Sequence, residues 1–156
     1  MDSKSDLFDD TDFLILETLV ADARVSWTEL AKSLNLSAPA VAERVKKLEA
    51  RGVIASYHAL LSPDAVDAEL LAFIAVSLSS QKDREAFLKR VTLNPTILEC
   101  HHTTGDDDFL LKVRVSGTAE LEVLLTDDLK RHAPGLRTRT TIALSSFKET
   151  PLRVQK

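Results

Sequence analysis

The sequence predicts an α+β chain in two parts, an N-terminal winged helix-turn-helix followed by a C-terminal β-α-β-β-α-β domain of the ferredoxin-like kind. Three observations predict it. Residues 26–54, SWTELAKSLNLSAPAVAERVKKLEARGVI, carry two helix-start signatures across a short turn and then a strand-like exit. The second half alternates strand-like and helix-like apolar patterns. Finally, the 156-residue chain has a formal net charge of −4, yet from Arg24 to Arg51 six bases (Arg24, Lys32, Arg44, Lys46, Lys47, Arg51) face three acids (Glu29, Glu43, Glu49). The expected division is 1–61 for the head, 62–69 for a linker and 70–156 for the second domain.

In the head, Ile15, Leu16 and Leu19 share a helical face, so a first helix is expected over about 11–21 with Asp10 or Thr11 as N-cap. Through Asp22 the segment holds seven acids (Asp2, Asp6, Asp9, Asp10, Asp12, Glu17, Asp22) against Lys4, and several crowd the positive end of the helix dipole. Ser26 and Glu29 have the spacing of a capping box, with Val25 and Leu30 as its hydrophobic staple, so a second helix starts at Trp27. Ser37 can cap Ala40, Leu36 and Val41 form another staple, and Pro39 suits a first turn, so a third helix starts at Ala38. Val41, Val45 and Leu48 recur at helical spacing and face a core with Leu30 and Leu34. Gly52 stops this helix, and 53–61 is expected to be a strand, the wing. Ser62-Pro63-Asp64 begins the linker.

In the second domain, 70–79 (LLAFIAVSLS) reads as a strand apolar on both faces at its start. A helix follows over 83–93 with Phe87, Leu88 and Val91 on one face, ended by Asn94-Pro95. Strands are expected at 96–104 and 109–115, joined by a turn at Gly105-Asp106-Asp107, with Phe109, Leu111, Val113 and Val115 inward. A helix after Ser116-Gly117-Thr118 buries Leu121, Leu124, Leu125 and Leu129, Pro134-Gly135 closes it, and the Thr-rich 137–147 is a last strand. Such a sheet has helices on one side, so its uncovered apolar face predicts self-association.

Bulk properties narrow the classes. With 44% hydrophobic residues the chain can build a core. No apolar run approaches the ~18 residues of a membrane span, and MDSKSDLFDD is unlike a secretory signal, so a cytoplasmic protein with no membrane partner is expected. Cys100 stands alone, so no disulfide or CxxC pair is available. His101 and His102 are adjacent on a strand and point to opposite faces, which leaves no metal site, and no cofactor is expected. The outward face of the third helix (Ala40, Glu43, Arg44, Lys47), its N-terminus (Ser37, Ala38, Pro39, Ala40) and the start of the second helix (Ser26, Trp27, Thr28) are candidate contacts to double-stranded DNA. Arg44 and Lys47 suit phosphates or guanine edges, while the alanines leave thymine methyls and DNA shape to carry specificity. The bland alternative is a solvated helix face. For Gly105, Asp106, Asp107 and Asp108 it is a polar β-turn.

The chain resembles the Lrp/AsnC, or feast/famine, family of transcriptional regulators over roughly Phe8 to Leu152. The resemblance is carried by FDDTDFLIL, R-x-S-x-x-E-L-A at Arg24 to Ala31, L-S-A-P-A-V-A-E-R-V-K-K-L-E at Leu36 to Glu49, G-V-I at Gly52 to Ile54, and H-T-T-G-D-D-D-F-L-L at His102 to Leu111. It implies a DNA-binding head on a pseudo-palindromic operator and a RAM-type C-terminal domain that assembles dimers, tetramers or octamers. It also implies a pocket for an amino-acid effector bordered by the acidic turn. On that basis Asp108, then Gly105 and Asp106, are candidate effector contacts, with Thr103, Thr104, Thr140 and Thr141 as hydroxyl contacts. Two positions depart from the family: Asp107 stands where a hydrophobic or aromatic residue is usual, and Asp67 where glycine is frequent. Asp107 is expected to bias the effector toward a basic or polar amino acid. The other classes are a sensing module that acts with another regulator and a small amino-acid-metabolising enzyme. No Ser/His/Asp set, phosphate loop or metal-ligand spacing supports the enzyme.

Overall fold

The computed structural model describes residues 9–150, 152 and 154, so Asp2, Lys4, Asp6 and Phe8 lie outside the described residues. The chain divides into two compact units, one running to Ala59 and taking in the segment from Lys148 onward, the other Leu60–Phe147. This departs from the expected 70–156 boundary. The physical reason is Val154, which packs against the core of the head.

The head holds α1 (Asp10–Ala21), α2 (Trp27–Leu34) and α3 (Ala38–Ala50). Ile15, Leu16, Leu19, Leu30, Val41, Val45 and Leu48 form its core. Both caps expected in the turn region are present. The Ser26 hydroxyl accepts the Glu29 N–H at 3.2 Å and the Glu29 carboxylate accepts the Ser26 N–H at 3.1 Å, while the Ser37 hydroxyl accepts the Ala40 N–H at 3.3 Å. The N-cap of α1, however, is Asp9. Its carboxylate accepts the Asp12 N–H at 2.8 Å and the Asp12 carboxylate returns to the Asp9 N–H at 3.3 Å, a second capping box one residue before the expected start. Asn35 ends α2 in the left-handed region at φ 54.

The expected strand at 53–61 is absent. Gly52, at φ 70, turns the chain after α3, and the N–H groups of Val53 and Ile54 both donate to the Leu48 carbonyl. Beyond them the segment has no ladder partner among the described residues, and a strand without a partner has nowhere to place its backbone hydrogen bonds. Tyr57 anchors it instead, donating to Glu49 at 2.9 Å.

The second unit follows the β-α-β-β-α-β order: β1 (Leu70–Ser77), α4 (Gln81–Leu93), β2 (Ile97–His102), β3 (Phe109–Val115), α5 (Thr118–Val123) continued by a π-helix (Leu124–Lys130), and β4 (Arg137–Ile142). The antiparallel sheet has the order β2-β3-β1-β4. Ala72, Ile74 and Val76 pair with Val113, Leu111 and Phe109, and all six face the helices around Phe87. Alternation places Leu71, Phe73, Ala75 and Leu110 on the opposite face, where Phe73 and Leu110 stay 36% and 37% exposed.

Four expectations shift here. Helix α4 starts earlier because Ser80 caps the Asp83 N–H at 3.1 Å. On it Phe87 is fully buried and Val91 packs on the core, but Leu88, one residue round the helix, is exposed. The last helix turns π-helical: Arg131 N–H donates to Thr126 five residues back, and this wider turn lets both Leu124 and Leu129 reach the core. Strand β4 stops at Ile142 because its partner β1 ends there; the Ala143 N–H still reaches the Leu71 carbonyl, and Leu144 and Phe147 are exposed.

Candidate nucleic-acid interface and effector site

The turn between α2 and α3 brings Ser37, Ala38, Pro39 and Ala40 to the N-terminus of α3, with Pro39 and Ser37 exposed. This end carries no acid in its first turn, so nothing offsets the attraction of its dipole for phosphate. The start of α2 differs. Trp27 and Thr28 are exposed, but the Glu29 carboxylate folds back over Ser26, accepting its hydroxyl at 2.7 Å as well as its N–H. Those bonds, side chain first, hold the Glu29 carboxyl below its ordinary range, so it stays charged beside the amides proposed for a phosphate.

Along α3, Glu43 and Lys47 are exposed and sit 3.6 Å apart at i and i+4. Arg44 is not free for DNA as the sequence suggested. Its Nη1 donates to Asp12 at 2.7 Å and to Asp9 at 2.8 Å, and those two carboxylates hold the guanidinium charged. Sequence reading assigned the acids of the first helix to its dipole and missed this tie, since a partner more than thirty residues away leaves no periodic signal.

In the second unit, Thr103, Thr104, Gly105, Asp106, Asp107 and Asp108 are gathered in the loop from β2 to β3. The loop is stitched to itself and to the end of β1. The Thr103 N–H donates to the Asp108 carbonyl at 3.0 Å and its hydroxyl to the Asp107 carbonyl at 2.9 Å. The Asp108 carboxylate accepts the Leu78 N–H at 2.7 Å, and Asp107 accepts the Ser77 hydroxyl at 2.9 Å and Arg139 at 2.6 Å. Gly105 sits at φ 116, a conformation side-chain-bearing residues rarely adopt, and with Asp106 and Thr104 forms the exposed tip.

Two expectations change in consequence. The Asp107 carboxylate already has a hydroxyl and a guanidinium, so it is not an unsatisfied acid awaiting a basic ligand. Thr140 and Thr141 do not act together: Thr140 pairs with Ile74 and takes the half-buried helix side, whereas Thr141 pairs with Phe73 on the open face. Ser77, Leu78 and Arg139 were missed. A signal existed for Arg139, because alternation along β4 places Arg137, Arg139 and Thr141 on one face.

Around the loop, Phe109 packs between Phe87 at 5.1 Å, the His102 ring at 5.2 Å and the Arg84 guanidinium at 4.8 Å. His101 turns to the open face and meets Glu99 at 3.1 Å, with Lys112 at 3.3 Å from the same carboxylate; the His101 contact leads in holding the Glu99 carboxyl low. The two histidines therefore diverge, as strand geometry requires. Asp67, in the usual place of glycine, takes φ 52, a left-handed conformation that aspartate tolerates. Cys100 is half-buried on the helix side, and burial pushes its thiol up. No helix among the described residues is long and apolar enough to cross a membrane.

Known proteins match both units. Residues 8–55 match the winged helix-turn-helix DNA-binding family model, and residues 71–152 the Lrp/AsnC ligand binding domain. The leucine-responsive regulatory protein of Haemophilus influenzae is 39% identical over 151 residues, 95% of this chain and 90% of that protein. A transcriptional regulator of Neisseria meningitidis, solved as a complex with L-Met, superposes with a TM-score of 0.85 at 33% identity, covering 92% of this chain and 94% of that one. A feast or famine regulatory protein of M. tuberculosis, complexed with L-methionine, gives a TM-score of 0.83 at 35% identity over 94% of this chain and 99% of its own. With a capped helix-turn-helix in one unit and a ligand-binding domain in the other, the chain belongs to the Lrp/AsnC family of DNA-binding transcriptional regulators.

Proposed function

We propose that this regulator binds a pseudo-palindromic operator as a dimer and that a small α-amino acid, held by the C-terminal domain, shifts its assembly and thereby the spacing of the two heads. The observation that carries this reading is the pairing of an exposed, cationic α3 with a ligand-binding domain on one chain. On the DNA, Ser37, Ala38, Pro39 and Ala40 enter the major groove, Glu43 and Lys47 follow, and Ser26, Trp27 and Thr28 approach the backbone. Lys47 serves as a phosphate contact. Arg44 leaves this set.

Self-association is supported by the open face of the sheet. Its apolar strip of Phe73, Ala75 and Leu110 is rimmed by the Glu99–Lys112 and Asp107–Arg139 pairs, an apolar centre with a polar edge. Dimers that stack further form tetramers or octamers. The effector lies against the 103–108 loop. Gly105 and Asp106 have exposed backbone for its carboxylate and carboxyl oxygens for its ammonium group, and Asp107 and Asp108 brace the loop from below. Bound methionine in two relatives supports an amino-acid ligand here. Ligand binding must favour one assembly over another for coupling to exist.

A band-shift titration on the region upstream of its own coding sequence, with sedimentation analysis with and without each amino acid, tests the reading. Salt-dependent, sequence-selective binding and a ligand-dependent change in sedimentation are expected. Ligand binding without selective DNA binding would leave only a sensing module.

A further inference from the structure

The guanidinium of Arg44 and the N-terminal cap of α1 form a single charged cluster. Asp9 and Asp12 are the two halves of the α1 capping box, each carboxylate accepting the other residue's N–H, and one nitrogen of Arg44 donates to both. The box therefore presents a pre-organised pair of carboxylates, and Arg44 joins them across the seam between α1 and α3. The side chain lies on the flank of its helix: at ~100° per residue it stands about 65° from the centre of the Val41/Val45/Leu48 stripe, whereas Lys47 stands about 125° away. Its exposure agrees, 33% for the Arg44 side chain and 13% for Asp12, against 62% for Lys47.

Beneath this cluster the two helices meet through Ile15, Leu16, Leu19, Val41, Val45 and Leu48, all aliphatic. Aliphatic packing is weakly directional and tolerates small changes of crossing angle. A guanidinium held to two carboxylates is directional. Within the cluster two acids face one base, so it adds no positive field for DNA, and the cationic side chains exposed on α3 are Lys46 and Lys47.

We propose that Arg44 is a positioning residue for DNA reading: bound to both carboxylates of the α1 cap, it fixes the angle at which α3 is offered to the major groove and makes no phosphate contact itself. The inference rests on the DNA-binding function of the head. It opposes simple charge counting, by which removing an acid from the head tightens DNA binding and removing an arginine weakens binding to any sequence.

The test compares wild type, Arg44→Met, Asp12→Asn, Asp9→Asn and, as a phosphate-contact control, Lys47→Ala, all as full-length protein. Affinity is measured over a salt series for the duplex upstream of its own coding sequence and for an unrelated duplex of equal length. For Arg44→Met the expected result is about a tenfold loss on the selective duplex, with unchanged affinity and salt slope on the unrelated one. Asp12→Asn should also lose selective affinity although it removes a negative charge, and the Arg44→Met/Asp12→Asn double variant should lose no more than Arg44→Met alone. A salt slope lowered by about 0.9 in Arg44→Met, the signature of one lost phosphate contact, overturns the proposal. So does an Asp12→Asn or Asp9→Asn protein that binds the selective duplex as tightly as wild type or more so. The two aspartate variants decide the matter by themselves if Arg44→Met fails to fold by circular dichroism. Wild-type protein that does not distinguish the two duplexes overturns the DNA-reading function itself.

Discussion

At the scale of single residues, charge partners decide what each candidate can do. Lys47 is exposed and its partner Glu43 is 3.6 Å away on the surface, a weak pair that a phosphate displaces easily. Replacing Lys47 by Ala is expected to lower the salt slope of DNA binding by about 0.9, read from affinities at several salt concentrations. The Asp9 carboxyl is held below its usual 3.8, first by the Asp12 N–H and then by Arg44. A carboxylate depressed in the folded state adds stability that is present above its unfolded value and is lost as pH falls through its folded one. Urea midpoints of wild type and Arg44→Met should therefore converge as pH falls from 7 to below 3.8, and a gap that stays constant would remove Asp9 from the cluster. The residue scale was the least legible from sequence. Ser26, Glu29 and Ser37 announce themselves because their partners lie three residues away, whereas the partners of Arg44 and Asp107 come from folding and leave no local mark.

At the scale of elements, caps and packing stripes were legible, and the departures share a cause. A helix start is written in a few adjacent residues, so α2 and α3 begin where Ser26 and Ser37 place them. Ser26→Ala is expected to cost about 1 kcal/mol by thermal or urea unfolding, because the Glu29 N–H loses its acceptor. A strand end depends on the neighbour that pairs with it: β4 stops where β1 runs out, and 53–61 has no neighbour to pair with among the described residues. The π-helical turn likewise depends on the core, since only tertiary packing rewards bringing both Leu124 and Leu129 inward. Gly135 shows how closely these elements meet. A Cβ there would lie 2.1 Å from the Ser79 hydroxyl and 2.7 Å from Asp83. Gly135→Ala is expected to lower the unfolding temperature by several degrees, and replacing Ser79 with Gly in the same protein should recover part of the loss.

At the scale of the whole molecule, two units carry two tasks, and only the unpaired face of the sheet hints at how copies combine. Phe73→Asp places a charge in the middle of that face, where it is 36% exposed and nothing else in the core depends on it. The expected product is a folded monomer by sedimentation with weakened operator binding, since each head then reaches one half-site alone. A dimer of unchanged stability would place the interface elsewhere. The order of elements and the alternation that exposes this face were readable from apolar periodicity. The return of the C-terminal segment to the head was not, because Val154 is a single apolar residue at the far end of the chain. The central claim is that an amino acid held by the C-terminal unit controls DNA binding by the head. It is tested most directly by the affinity of wild-type protein for its own upstream duplex, measured with and without each of the twenty amino acids. The expected result is salt-dependent, selective binding that changes by about fivefold or more with at least one of them. Selective binding indifferent to every amino acid would contradict it.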